Sequence, residues 1–254
     1  MARHLIVFTA RTGSTLLSEL ISSTTASPNY GEGWKLGPGQ QDITHMFDMA
    51  HQARDPIALN NYINQYRLRG SSLLKQSNWV AKLNAYPAST YCNNIIDSVI
   101  GSGGKVWLTY RSNIHHQFLS FVNALYRQSL KNPNSFLFTN NCDPLFYERI
   151  DLPQERLYNT LTIFLQTLIS WRLLFDKYKH KVNLVNYEEN LYGDGGTTSI
   201  NLTKFGITDE NVLAYFDQKT HLVRTPFNSR LFLNNDAWES CIEVLNRHQH
   251  LVEI

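Results

Sequence analysis

The sequence predicts an α/β fold, a doubly wound and mainly parallel sheet with helices on both faces. Three observations carry that prediction. Short unbroken apolar runs such as Leu5-Ile6-Val7-Phe8 recur along the chain, the pattern of strands buried on both faces. Segments with apolar residues at helical spacing alternate with them, as βαβ units require. No Pro/Ser-rich linker, charge block or internal repeat divides the 254 residues, so the chain reads as one domain, 1–254.

The first unit is "LIVFTARTGSTLLSELI", Leu5 to Ile21: a strand, a small-residue turn, then Leu16, Leu17, Leu20 and Ile21 at helical spacing. The Gly- and Pro-rich stretch from Ser27 to Gln41 reads as a brief strand followed by a loop, with one acid, Glu32, between two glycines. From about Asp42 to Leu74 the pattern is helical in two pieces, Asp55-Pro56 supplying the cap and first position of the second. Asn78 to Pro87 reads as a strand ending near Asn84, and a helix from about Ser89 to Ile100 stops at Gly101-Ser102-Gly103-Gly104. The strand Lys105 to Tyr110 then delivers Arg111 to the carboxyl edge of the sheet, and a helix follows. A long irregular stretch with Asn132-Pro133-Asn134 and Asp143-Pro144 is a candidate substrate lid. Next come an amphipathic helix from about Glu155 to Lys179, a strand from Lys181 to Tyr187 and a short helix near Glu210 to Phe216. A loop carrying Arg224 and Arg230 leads to a last helix from about Ala237, capped by Asp236.

Composition narrows the function. Lys and Arg number 23 against 21 Asp and Glu, a formal net of +2. That balance argues against a nucleic-acid binder driven by bulk charge and leaves room for a local basic pocket. Cys92, Cys142 and Cys241 are odd in number and widely spaced, forming neither a disulfide framework nor a zinc pattern, which fits a reducing compartment. The N-terminus lacks a signal-peptide apolar region and no run approaches membrane-spanning length, so a soluble, cytoplasmic protein is expected.

The turn Arg11-Thr12-Gly13-Ser14-Thr15 is the most informative stretch. The first-turn amides of the helix it feeds have no intrahelical acceptors, and the helix dipole adds positive charge there. Gly13 permits positive φ and close backbone approach, the hydroxyls of Thr12, Ser14 and Thr15 can bond phosphate oxygens, and Arg11 brings a full charge. The same residues also fit an ordinary junction with Ser14 or Thr15 capping the helix and Arg11 in solvent. The nucleotide-triphosphatase loop G-x-x-x-x-G-K-[ST] is excluded, because no lysine precedes the hydroxyl residues. Ligands of such sheets bind beyond the carboxyl ends of the strands, which predicts Arg11, Glu32, Lys82 or the residues just after it, and Arg111 as near neighbours. Trp34, Trp79 and Trp107 could stack on a base or sugar, but Trp107 in a buried strand reads as core.

Taken with Arg111 at a strand end and Ser120 nine positions later, the turn resembles the sulfotransferase family that uses 3′-phosphoadenosine 5′-phosphosulfate (PAPS). Arg11 to Thr15 is similar to the family's 5′-phosphosulfate loop, and Arg111 with Ser120 to its 3′-phosphate pair. The form R-x-[DN]-x-x-x-Q-x-x-S, carried by Arg111, Asn113, Gln117 and Ser120, looks closest to bacterial carbohydrate sulfotransferases. "VNYEENL", Val185 to Leu191, resembles the family's late strand with its Tyr-Glu pair. Residues between about 34 and 77 and between 130 and 155 lie outside the resemblance.

The resemblance implies a P-loop-like, three-layer α/β/α domain that uses PAPS as sulfuryl donor, no metal, and a hydroxyl-bearing small molecule or carbohydrate as acceptor. It implies Glu32 as general base and Lys82 as the cation at the transferring group. Arg224 and Arg230 lie where the family has a late loop over the 3′-phosphate; the glycine-lysine pattern of its cytosolic branch is absent, so either arginine could serve. Histidine is the base in that cytosolic branch, but His115 and His116 read as a partly exposed helix face. Two other classes remain open: a nucleotide kinase with a degenerate phosphate loop, which would act on ATP, and a nucleotide-binding protein without chemistry, in which Glu32→Ala would be silent.

Overall fold

The computed structural model describes residues 2–32, 56–90, 93–129, 150–151, 153–192, 201–218, 231–232 and 235–254. Strands β1 (Arg3–Phe8), β2 (Trp79–Asn84), β3 (Lys105–Tyr110) and β5 (Asn183–Asn186) form a parallel sheet in the order β2-β1-β3-β5. In register, Ile6 faces Lys82 on one side and Trp107 on the other. A second, two-stranded parallel ladder pairs β4 (Ile150–Asp151) with β6 (Leu231–Phe232).

Alternate residues of β1 go to opposite cores, as strand geometry requires. Leu5 and Val7 join Ala81, Leu83, Val106 and Leu108 under helices α2 (Pro56–Leu74), α4 (Asn93–Gly101) and α6 (Gln154–Tyr178), which contribute Tyr62, Ile96, Val99, Trp171 and Leu174. Ile6, Val80 and Trp107 lie on the other face beneath Leu17, Leu20 and Ile21 of α1 (Ser14–Thr25) and Val212 of α7 (Asp209–Gln218). The three α1 side chains are essentially inaccessible, each stabilising the junction by about 1.5–3 kcal/mol. The α/β/α layering expected from the sequence is therefore present. A third core joins α5 (Ile114–Ser129), α6 and α8 (Asn235–Arg247) through Phe118, Phe164 and Leu245.

Several local expectations are corrected. The helix expected from Ser89 begins at Ala85, as α3 (Ala85–Thr90), followed by α4. Pro87 is third in α3, where a first-turn amide needs no partner, so it does not delay the start. The strand expected over Lys181–Tyr187 is only Asn183–Asn186, because the chain leaves the sheet in a π-helical turn, Tyr187–Tyr192. Asp236 lies inside the first turn of α8 rather than capping it. Neither Ser14 nor Thr15 caps α1: Gly13 is the N-cap, at φ 71°, and no side chain closes that end. The brief strand expected after Ser27 is a single bridge, Asn29 to Val80, flanked by Val80 N–H to Pro28 O and Lys82 N–H to Gly31 O. That short pairing carries Glu32 alongside β2. The expected lid, the first helical piece before Pro56, Trp34, Arg224 and Arg230 lie outside the described residues. Among the described residues no helix is long and apolar enough to cross a membrane.

Candidate functional site at the carboxyl edge of the sheet

The β1–α1 and β3–α5 connections leave the sheet side by side, where β1 lies between β2 and β3. Strand order reverses there, the position at which open α/β sheets bind ligands. The β1–α1 turn contains two left-handed residues, Arg11 at φ 65° and Gly13 at φ 71°. Glycine meets no penalty there, whereas arginine does, so the surroundings must hold Arg11 in place. They do so through Gln117, which is wholly buried and whose Nε2 donates to Thr9 Oγ1 and Ala10 O, both at 2.7 Å.

The spacing of the second motif is explained by helix geometry. Asn113 caps α5, its Oδ1 accepting from the His116 amide at 2.9 Å. Gln117 stands four residues on and Ser120 three further, so Gln117 meets the β1 turn and Ser120 Oγ accepts from Arg11 Nε at 3.0 Å. Burial, first, and the neighbouring Arg111 charge draw the Arg11 guanidinium below its ordinary value, with Tyr187 opposing. A cation so placed is stabilised by an incoming anion.

Thr12 is turned inward. Its hydroxyl donates to Thr9 O at 2.8 Å and lies 2.7 Å from Thr109 Oγ1; with its one proton committed to Thr9, the Thr109 hydroxyl is the donor to Thr12. Thr12 therefore ties the turn to β3, and its backbone amide is what it can offer an anion. Ser14 is buried at the start of α1, while Thr15 is exposed on the next position.

On one side of this turn lies Lys82. Its side chain is 7% exposed, and its Nζ donates to Glu32 Oε1 at 2.8 Å and Thr15 Oγ1 at 2.9 Å. The turn has no lysine of its own, and β2 brings one to the Thr15 hydroxyl in the first turn of α1. On the other side lies Arg111. Its Nε donates to Glu188 Oε1 at 2.8 Å, its Nη1 approaches Arg11 O at 3.5 Å, and its guanidinium lies 4.2 Å over the Tyr187 ring. The sites expected from sequence thus gather as Arg11 with Ser120, Lys82 with Glu32 and Thr15, and Arg111 against the Arg11 carbonyl.

Two groups were not assigned roles from sequence, Glu188 and Gln117. Both had a legible signal: Glu188 follows a strand neighbouring β3, so the rule that placed Arg111 at the carboxyl edge places Glu188 beside it. His115 is half-buried, with Nε2 among the buried side-chain atoms that lack a hydrogen-bond partner among the described residues, and His116 is exposed. Trp79 and Trp107 are core, Trp107 Nε1 donating to His4 Nδ1 at 3.2 Å. Among the described residues no group of three or more His, Cys, Asp or Glu could hold a metal ion.

No protein-family model matches the chain. No curated protein matches it by sequence. Among solved structures it is similar to the sulfotransferase domain of the Synechococcus PCC 7002 olefin synthase, at 14% identity and a TM-score of 0.36, covering 91% of this chain and 79% of that one. It is also similar to the sulfotransferase domain from the curacin biosynthetic pathway, at 11% identity and a TM-score of 0.38, covering 94% and 82%. Likenesses of that size carry no argument. The fold class rests on the chain's own sheet, and function must rest on its own site.

Proposed function

We propose that the chain transfers a sulfuryl group from PAPS to a hydroxyl of a small-molecule or carbohydrate acceptor. The observation that carries this reading is the ammonium of Lys82, held between the Glu32 carboxylate and the first exposed hydroxyl of an uncapped helix N-terminus. An anion-binding end, a cation and a carboxylate at one mouth are the parts that group transfer to a hydroxyl requires.

The donor set fits the proposed nucleotide. PAPS has two separated anionic centres, and the turn has a cation on each side, Lys82 at the Thr15 hydroxyl and Arg111 against the carbonyl of Arg11, whose own guanidinium is bonded to Ser120. Bound there, the nucleotide would supply an activated sulfuryl group. Glu32, with a side chain 44% exposed, is open to an acceptor and takes the hydroxyl proton on its carboxylate as the oxygen attacks. Lys82 and Arg11 stabilise the negative charge that develops on the transferring and leaving groups. Their charge does the work a metal does in related phosphoryl transfers, so turnover persists in EDTA. Cysteines with no disulfide pattern suit a cytoplasmic setting for such an enzyme.

Calorimetric titration with 3′-phosphoadenosine 5′-phosphate, the desulfated product, tests the reading. Micromolar binding by the wild type, weakened ten- to about a hundredfold by Arg111→Ala, is the expected result. A folded wild type that ignores this nucleotide but binds ATP would replace the reading with a nucleotide kinase.

A further inference from the structure

The Tyr187–Tyr192 turn touches both halves of the site. Tyr187 and Leu191 pack so closely on Gly13 that a Cβ there would lie 2.8 and 2.7 Å from their carbons. Glu188, between them in sequence, turns to the other connection. One carboxylate oxygen accepts from Arg111 Nε at 2.8 Å; the other accepts from the Ser112 amide at 3.0 Å and the Ser112 hydroxyl at 3.2 Å. The carboxylate thus clasps a side chain and the backbone immediately after it. Glu188 is itself fixed, its amide donating to Asn186 Oδ1 at 2.9 Å, while the Asn186 amide donates to Asn190 Oδ1 at 2.9 Å. Residues 111 and 112 are further held from outside, Gln249 Nε2 donating to Ser112 O at 3.1 Å.

We infer that Glu188 is a positioning residue that aims the Arg111 guanidinium at the nucleotide's 3′-phosphate. This rests on the sulfotransferase reading of the same site. The short anchoring contact is made by Nε, the inner nitrogen of the fork, and Nη1 makes only a long one, 3.5 Å, to Arg11 O, so the outer edge that suits a phosphate is oriented by both. The Tyr187 face at 4.2 Å prevents the planar group from rolling about that anchor. Glu188 acts on nucleotide binding alone and takes no part in proton transfer.

The test compares two nucleotides on Glu188→Gln: 3′-phosphoadenosine 5′-phosphate and 5′-AMP, which lacks the 3′-phosphate. The variant binds the first about tenfold more weakly and 5′-AMP as the wild type does. In transfer assays the donor KM rises and kcat is unchanged, and in an Arg111→Ala background Glu188→Gln adds no further loss. If Glu188→Gln fails to fold, Glu188→Asp, which keeps the charge but shortens the reach, gives the same 3′-specific loss. Equal weakening of both nucleotides would mark a merely structural residue and overturn the inference, as would unchanged or tighter binding of the 3′-phosphorylated one. A folded wild type that binds neither nucleotide overturns the sulfotransferase reading, and this inference with it.

Discussion

The two ion pairs that flank the β1–α1 turn use the same chemistry to different ends. Lys82 and Arg111 are equally buried, with side chains 7% and 8% exposed, and each lies 2.8 Å from a glutamate. The partners differ: Glu32 is 44% exposed and sits on a glycine-flanked loop, whereas Glu188 is 26% exposed and bonded through both oxygens. Lysine is a point charge on a flexible stem that can exchange partners, while an arginine fork clasped at Nε and stacked on a ring cannot turn. One pair is suited to a carboxylate that must let go of its cation, the other to a cation that must keep its aim. Burial of a charge alone does not tell these apart; the exposure of its partner does.

The largest effect expected from that contrast is on the loose side. Glu32→Gln lowers turnover by about a hundred- to ten-thousand-fold, the range for loss of a general base, with nucleotide affinity nearly unchanged. Single-turnover rates alongside calorimetry separate the two. A turnover loss matched by an equal loss of affinity would mean that the Glu32–Lys82 pair is structural, and the contrast between the sides would disappear.

Gly13→Ala strikes the element both sides share. The position has φ 71°, and the added carbon would meet Leu191 and Tyr187 at 2.7 and 2.8 Å. Left-handed backbone and overpacking together cost about 2–4 kcal/mol, visible as a lowered urea midpoint. Because Tyr187 moves with the turn, affinity for the 3′-phosphorylated nucleotide falls with stability. Intact affinity in a destabilised variant would show the two sides to be mechanically independent.

The arrangement was legible in the sequence wherever one residue type and one periodicity sufficed. Leu5 to Phe8 and Val106 to Thr109 read as buried strands and are buried, and a sheet of such strands puts Arg11 and Arg111 on one edge. The closeness of Lys82 to Glu32 followed from the same rule but depended on the Asn29–Val80 bridge, which three backbone hydrogen bonds define and no side-chain pattern announces. The π-helical turn was illegible for a similar reason. "NYEENLY" carries strand-like and helix-like residues alike, and Asn186 and Asn190 decide its path through side-chain bonds to backbone. Gln117 was visible as a letter in a motif; that it braces a left-handed Arg11 needed the register of α5 against β1.

Exchange of the cations sharpens the contrast on a smaller scale. Arg111→Lys keeps the charge but loses the fork, so it cannot hold Glu188 at an inner nitrogen and present an outer edge at once. Affinity for 3′-phosphoadenosine 5′-phosphate drops by about tenfold, ~1.4 kcal/mol, by calorimetry. Retained affinity would mean that Arg111 acts only as a point charge and that the Glu188 brace is idle.

The smallest effect lies at the far end of β1 and decides how an acid limb in activity is read. His4 is buried against Trp107, and burial, then the charge of Lys105, lowers it from 6.5 to about 4. It is neutral in the folded chain near neutral pH, and the unfolded chain takes up its proton first. The stabilisation it allows is complete above 6.5 and is lost as pH falls from there towards about 4. From about pH 7.5 to about pH 5.5 the loss is about 1 kcal/mol, measurable as a shift in urea midpoint that His4→Gln flattens. An acid fall in turnover that persists unchanged in His4→Gln therefore does not come from the sheet's stability. One that flattens with the urea midpoint belongs to the sheet, and would remove pH dependence as support for a base on the loose side.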